Sequence, residues 1–188
     1  QRIRADLTAQ GVRFSSKSDS EILLRLYQRQ GLEETLPLLR GEFAFALFDR
    51  AEDCLYLVRD RFGIKPQYWA MTPEGLVFGS ELKVLFAHPA VERRFTSEGL
   101  FHQLMQTMVP GTTAFAGVHQ VKPGHVLKVQ RVNGHLEVSE STYWDVDFPR
   151  KDERDPKRTE ADHIAAVRAA LLEAVELRMV ADVPVGCY

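Results

Sequence analysis

The sequence predicts a layered α+β domain, and three stretches carry that prediction. The first lies within residues 41–66, GEFAFALFDRAEDCLYLVRDRFGIKP. There Phe43, Phe45, Leu47 and Asp49 alternate onto one face of a strand and Ala44, Ala46 and Phe48 onto the other, so neither face is polar until Asp49. A strand apolar on both faces belongs in a sheet covered on both sides. The second stretch is Ser18-Asp19-Ser20-Glu21, a helix start ahead of Ile22, Leu23, Leu26 and Tyr27 at helical spacing. The third is Asn133-Gly134, a hairpin dipeptide set between two alternating apolar runs.

Taken in order, Ile3 and Leu7 share one helix face and Gly11 supplies the left-handed stop. Val12, Arg13 and Phe14 then read as a short strand. Ser18 at the cap and Glu21 three residues on fit a capping box, and a second short helix over 32–39 returns the chain to Arg40-Gly41. These helices are expected to cover one side of the sheet. The strand at 43–49 turns through 49–53 into a second strand at 55–58, which ends in Arg59-Asp60-Arg61 and a bend forced by Gly63 and Pro66.

Tyr68, Trp69 and Ala70 are expected to pair with Leu76, Val77 and Phe78 around 73–75. Ser80 should cap a helix over 81–86 that His88-Pro89 ends, and Thr96 another over 97–105. Val126, Leu127 and Val129 pair with Leu136 and Val138, with Tyr143 a further candidate. From Phe148 to Arg158 eight of eleven residues are charged and two are proline, the composition of a linker. Ile164, Val167, Leu171, Val175 and Arg178 then mark a helix stripe, and Asp182-Val183-Pro184-Val185-Gly186 opens something new.

The totals narrow the function. At 188 residues the chain holds one domain, or most of one plus part of a second. A net charge of -2 with acids and bases interspersed leaves no basic stripe, so no nucleic-acid partner is expected. No apolar run approaches the roughly 18 residues of a membrane span, and Gln1-Arg2-Ile3-Arg4 leads into no apolar signal core. A soluble, cytoplasmic protein without a membrane partner is expected. Cys54 and Cys187 read as structural thiols, and six histidines scattered without ligand spacing suggest no metal site.

Five blocks, SSKSDSEILLRLY, GEFAFALFD, RDRFGIKPQYW, FGSELKVL and DVPVGCY, stand in an order and spacing that resemble glutamine-dependent asparagine synthetases. The resemblance covers nearly the whole chain. It implies a class II glutamine amidotransferase (glutaminase) domain over 1–147, a linker over 148–158, and the start of an ATP-pyrophosphatase domain of asparagine synthetase type over 159–188. The fold it implies is a four-layer αββα sandwich of the N-terminal nucleophile hydrolase type, incomplete at its N-terminus and followed by the first helix of an α/β domain. The parent enzyme so implied releases ammonia from glutamine and uses ATP and Mg to amidate aspartate. Its partners would be glutamine, aspartate and ATP, with a homodimer as the candidate assembly.

The same resemblance places the catalytic centres outside the sequence. The family's nucleophile is an N-terminal cysteine whose own α-amine is the base, and position 1 here is Gln1. Its Asn-Gly-Glu segment would fall upstream of Gln1, and its Ser-Gly-Gly-x-Asp-Ser pyrophosphate loop downstream of Tyr188. No catalytic residue is therefore assigned, the cofactor-binding residues are unknown, and the chain alone is expected to be inactive. Cys54 cannot stand in for the nucleophile, since Asp53 and Leu55 beside it offer no base.

Asp19 is the one position that matches a family substrate residue, where the aspartate holds the α-ammonium of glutamine. A carboxylate suits that task because a charge-assisted bond selects an amino acid over a simple amide. The plainer role is that Asp19 favours the helix N-terminus by its charge, and the two roles are compatible. Arg59, Asp60, Arg61 and Lys65 read as a turn fixed by ion pairs, with Gln67 where leucine is common in the family. Glu81 and Lys83 read as surface charges. A β-lactam synthetase-like enzyme, a polysaccharide-cluster amidotransferase and a non-catalytic scaffold remain open alternatives.

Overall fold

In the computed structural model, which describes residues 2–186 apart from 108, 154, 156, 180 and 182, the chain divides into two compact units, Gln1–Asp145 and Val146–Tyr188. The first unit opens with helices α1 (Arg2–Ala9) and α2 (Asp19–Thr35) and a 3₁₀ turn, Leu36–Leu38. Strands β1 (Ala44–Asp49), β2 (Cys54–Arg59), β3 (Tyr68–Thr72) and β4 (Gly75–Gly79) follow. Helices α3 (Leu82–Leu85) and α4 (Ser97–Leu104) lead to β5 (Val118–Gln120), β6 (His125–Val132) and β7 (His135–Thr142). One sheet has the order β1-β2-β6-β7 and the other β4-β3-β5. All of these pairings are antiparallel.

Side-chain alternation stacks these elements into four layers. On one face of the first sheet Val58 and Val126 pack against Leu36 and the partly buried Leu32 and Leu39. On its other face Leu57, Leu127 and Val129 pack with Val121 against Trp69 and Leu76 of the second sheet. The next residue along β3, Ala70, points the opposite way, into a cluster with Leu85, Val91 and Val118. The order is thus helix, sheet, sheet, helix, the αββα sandwich. Each fully buried leucine of the inter-sheet layer contributes on the order of 2 kcal/mol. Leu7 of α1 meets Ile22 and Leu26 of α2 in a smaller cluster outside the first sheet.

Several local expectations change. Residues 12–14 form no strand, because no strand among the described residues lies beside them to complete a ladder; Val12 and Phe14 instead pack on the α1–α2 cluster. The capping helix runs on through Thr35 with a break at Gly31 (φ 78, ψ 179), and the short second helix becomes its last residues plus Leu36–Leu38. Glu81 rather than Ser80 stands at the N-cap of α3, with no side-chain cap, so that helix shrinks to four residues. Thr96 does cap α4, accepting from Gly99 N–H.

The cover predicted on both faces of the first strand fails at β1. Leu57 in β2 is fully buried, yet its cross-strand neighbour Ala46 is exposed and Phe48 is 57% exposed. β1 is the edge strand of its sheet, and the layer that buries Leu57 does not extend over it. The β6–β7 hairpin follows the expected chemistry, with Asn133 (φ 51) and Gly134 (φ 83) both left-handed, as a type I′ turn needs.

In the second unit, a 3₁₀ turn at Lys151–Glu153 precedes α5 (Glu160–Arg178). A capping box starts α5: Asp162 N–H donates to Thr159 Oγ1 at 3.2 Å, and Thr159 N–H donates to Asp162 Oδ2 at 2.9 Å. Its stripe of Ile164, Val167, Leu171 and Val175 is exposed. Of the segment expected to open at 182, residue 182 lies outside the described residues, as does Cys187. Among the described residues no helix is long and apolar enough to cross a membrane.

Candidate functional site

The N-terminus of α2 and the segment entering β1 enclose a cleft of about 340 Å³. Asp19, Ser20, Ile22 and Leu23 line it from α2; Leu39, Arg40, Glu42, Phe43, Ala44 and Phe45 line it from the other side, with Ile3 of α1. Its size falls in the range of small-molecule sites, roughly 300–1,000 Å³. The cleft combines apolar walls with three charged residues, Asp19, Arg40 and Glu42.

The first turn of α2 holds two carboxylates in different states. Ser18 caps the helix, its side chain accepting from Ser20 N–H at 3.2 Å. Glu21 does not return to Ser18, so the capping box is not formed. It reaches farther back, taking the N–H groups of Ser15 at 2.9 Å and Ser16 at 2.7 Å and both their hydroxyls. Four donors from the preceding loop outcompete the single N–H that a capping box offers. The backbone bond from Ser15 is the largest cause, followed by the Ser16 hydroxyl, of a Glu21 carboxyl pulled down to about 2. Asp19, in contrast, is exposed on the cleft, and among the described residues no hydrogen bond or ion pair engages its carboxylate.

The opposite wall is fixed from behind by the bend after β2. Asp60, 1% exposed, accepts the N–H groups of Phe62 at 3.1 Å, Ile64 at 3.0 Å and Lys65 at 2.9 Å, and that of Phe43 at 3.3 Å. Arg59, 6% exposed, donates to the carbonyls of Lys65 and Val121, each at 2.8 Å, and to that of Gly63. Tyr143 donates its hydroxyl to the Arg59 carbonyl at 2.9 Å, and burial pushes its phenol up to about 12. Gln67 Nε2 donates to Phe45 O at 3.0 Å.

The bend is fixed, as the sequence suggested, but by bonds from side chains to backbone rather than by ion pairs. Among the described residues of this bend Lys65 alone makes an ion pair, 3.4 Å from Glu42, while Arg61 donates to Pro37 O at 3.1 Å. Arg59 and Asp60 are the members that sequence reasoning undervalued. A charged pair at a strand end looks like a solvated turn, and the only hint of burial was the Gly and Pro bend that follows. Glu81 and Lys83 pair at 2.7 Å on the surface.

Cys54 is fully buried at the start of β2 and lines no part of the cleft. Among the described residues no group of three or more His, Cys, Asp or Glu side chains is placed to hold a metal ion.

Residues 1–144 match a family model described as a glutamine amidotransferase domain. The amidase chry2 of Gibberella zeae is 39% identical over the whole chain, which spans 27% of that protein. Asparagine synthetase [glutamine-hydrolyzing] 3 of Bacillus subtilis is 33% identical over 99% of the chain, which spans 29% of it. The chain thus covers little more than a quarter of the length of these relatives. Among solved structures, the glutamine phosphoribosylpyrophosphate amidotransferase of B. subtilis superposes with a TM-score of 0.51 at 21% identity, covering 73% of this chain and 26% of that one. At that identity the likeness speaks for the fold.

Proposed function

The chain belongs to the glutamine amidotransferase domain family, in an asparagine synthetase-like form, and we propose that the cleft beside Asp19 binds glutamine for hydrolysis to glutamate and ammonia. The observation that carries this reading is the division of labour in the first turn of α2. Glu21 is committed to Ser15 and Ser16, whereas Asp19 lines the cleft with a carboxylate unengaged among the described residues. An α-ammonium there gains a charge-assisted bond to the Asp19 carboxylate, while Ile22, Leu23 and Phe45 offer apolar contact to the methylene stem. Hydrolysis breaks the amide C–N bond, adds water and releases ammonia. Asp19 binds and orients the substrate and exchanges no proton with the reacting carbon.

In the full-length protein the ammonia then reacts with a carboxylate activated by ATP, aspartate being the first candidate. On this reading ATP and Mg would be bound outside the glutamine amidotransferase domain of the full-length protein. The likeness to amidases favours a second reading, in which the glutamine amide is hydrolysed and the ammonia is not passed on to aspartate. Incubating the full-length protein with ¹⁵N-amide glutamine, ATP and aspartate tests both. Label in asparagine supports the first reading; label released as ammonia without asparagine supports the second; no release of label from glutamine overturns both.

A further inference from the structure

We propose that Gln67 is a positioning residue for the Asp19 cleft, acting through the backbone of β1; this rests on the reading of the cleft as the glutamine site. Phe43 and Phe45 form the wall opposite Asp19. Three side chains reach that wall from the bend and its exit: Asp60, through Phe43 N–H; Lys65, through the Glu42 carboxylate at 3.4 Å; and Gln67, through Phe45 O at 3.0 Å. Gln67 is itself anchored, because its own carbonyl accepts Val121 N–H at 3.0 Å, which ties it to the segment between β5 and β6.

Gln67 is an odd choice for a merely structural role. It is 5% exposed, and its Oε1 is buried with no hydrogen-bond partner among the described residues. A buried acceptor left unpaired destabilises, and an apolar side chain of the same size would avoid that loss. The contribution that leucine could not make is the bond from Nε2 to Phe45 O. That bond lies on the edge strand: one face of β1 is held by Phe43 and Phe45 against Leu36, Val58 and Val126, but the other is exposed at Ala46 and Phe48, so packing fixes the strand from one side only. The amide therefore sets where the cleft wall stands and adds little to the stability of the sandwich.

The test compares Gln67→Leu and Gln67→Met with Asp19→Ala in the full-length protein, measuring KM for glutamine, kcat with ammonium chloride as nitrogen source, and Tm. Both Gln67 variants are expected to raise the glutamine KM about fivefold, with ammonia-driven kcat unchanged and Tm unchanged or higher. An unchanged KM overturns the proposal. So does a fall in Tm with a parallel loss of both activities in the two variants, which marks a structural role. If Asp19→Ala raises KM while the Gln67 variants do not, only the positioning role fails. If Asp19→Ala leaves KM unaltered, the reading of the cleft itself fails.

Discussion

Asp60 grips Phe43 twice: Asp60 N–H donates to Phe43 O at 2.8 Å, and Phe43 N–H reaches Asp60 Oδ2 at 3.3 Å. The grip joins the start of β1 to the bend after β2. Because the carboxylate also takes three N–H groups from its own bend, Asp60→Asn would turn an amide NH₂ toward backbone donors that have no other acceptor among the described residues. The expected loss is about 3 kcal/mol. Urea unfolding monitored by Trp fluorescence checks it, and a loss below about 1 kcal/mol would show that the bend holds without the charge.

Gly124 offers a second check on the same region. Its φ is +67, its N–H donates to Asp60 O at 2.9 Å, and a Cβ there would overlap the carbonyl oxygen of Trp144. Gly124 O also accepts the N–H groups of Tyr143 at 2.9 Å and Trp144 at 3.2 Å, so the backbone cannot retreat without breaking those bonds. Gly124→Ala is expected to destabilise by at least about 3 kcal/mol, combining left-handed strain with the clash. Gly134→Ala makes the control: its φ is +83, but a Cβ meets nothing within 4 Å, so only the strain remains.

Glu21 predicts a pH dependence. Its folded carboxyl lies near 2, below the ordinary 4.5, so the folded state binds fewer protons than the unfolded chain between those values. The stabilisation is complete above about pH 4.5 and fades as the pH falls towards 2. Glu21→Gln should therefore lower Tm at pH 6 and converge with the parent protein near pH 2. A Tm difference that stays constant across this range would mean that the Ser15 and Ser16 bonds do not depend on the charge.

Strands β1 to β4, the β6–β7 hairpin and the α4 cap were legible because each rests on local chemistry: alternation, a left-handed dipeptide, a threonine before a helix; the three-residue β5 was not read, being too short to show alternation. What failed depended on neighbours that the sequence does not name. Phe48 reads as core by alternation, yet β1 lies beyond the reach of the layer that buries Leu57. Glu21 reads as a capping-box partner, yet Ser15 and Ser16 offer more donors than Ser18. Asp19 was legible only through the resemblance, since a first-turn acid looks the same whether or not a cleft opens beside it. Gln67 was noticed as a departure from the family, but its reach to Phe45 O crosses 22 residues of sequence.

Asp19 provides the most direct test of the site. If its carboxylate holds the α-ammonium of glutamine, Asp19→Ala in the full-length protein removes a charge-assisted bond contributing about 1.5 to 3 kcal/mol. That corresponds to a loss of roughly tenfold to a hundredfold in glutamine-dependent kcat/KM. Free ammonia needs no such anchor, so synthesis driven by ammonium chloride should persist. The helix should survive the change, because Ser18 still caps it and Glu21 still binds Ser15 and Ser16. Asp19→Asn separates charge from shape: it keeps a hydrogen-bond acceptor but loses the attraction to the ammonium, and should fall between the parent protein and Asp19→Ala. Measuring both activities on one preparation is decisive. Equal losses in the two assays, or none in either, would return Asp19 to the role of a first-turn charge at the N-terminus of α2.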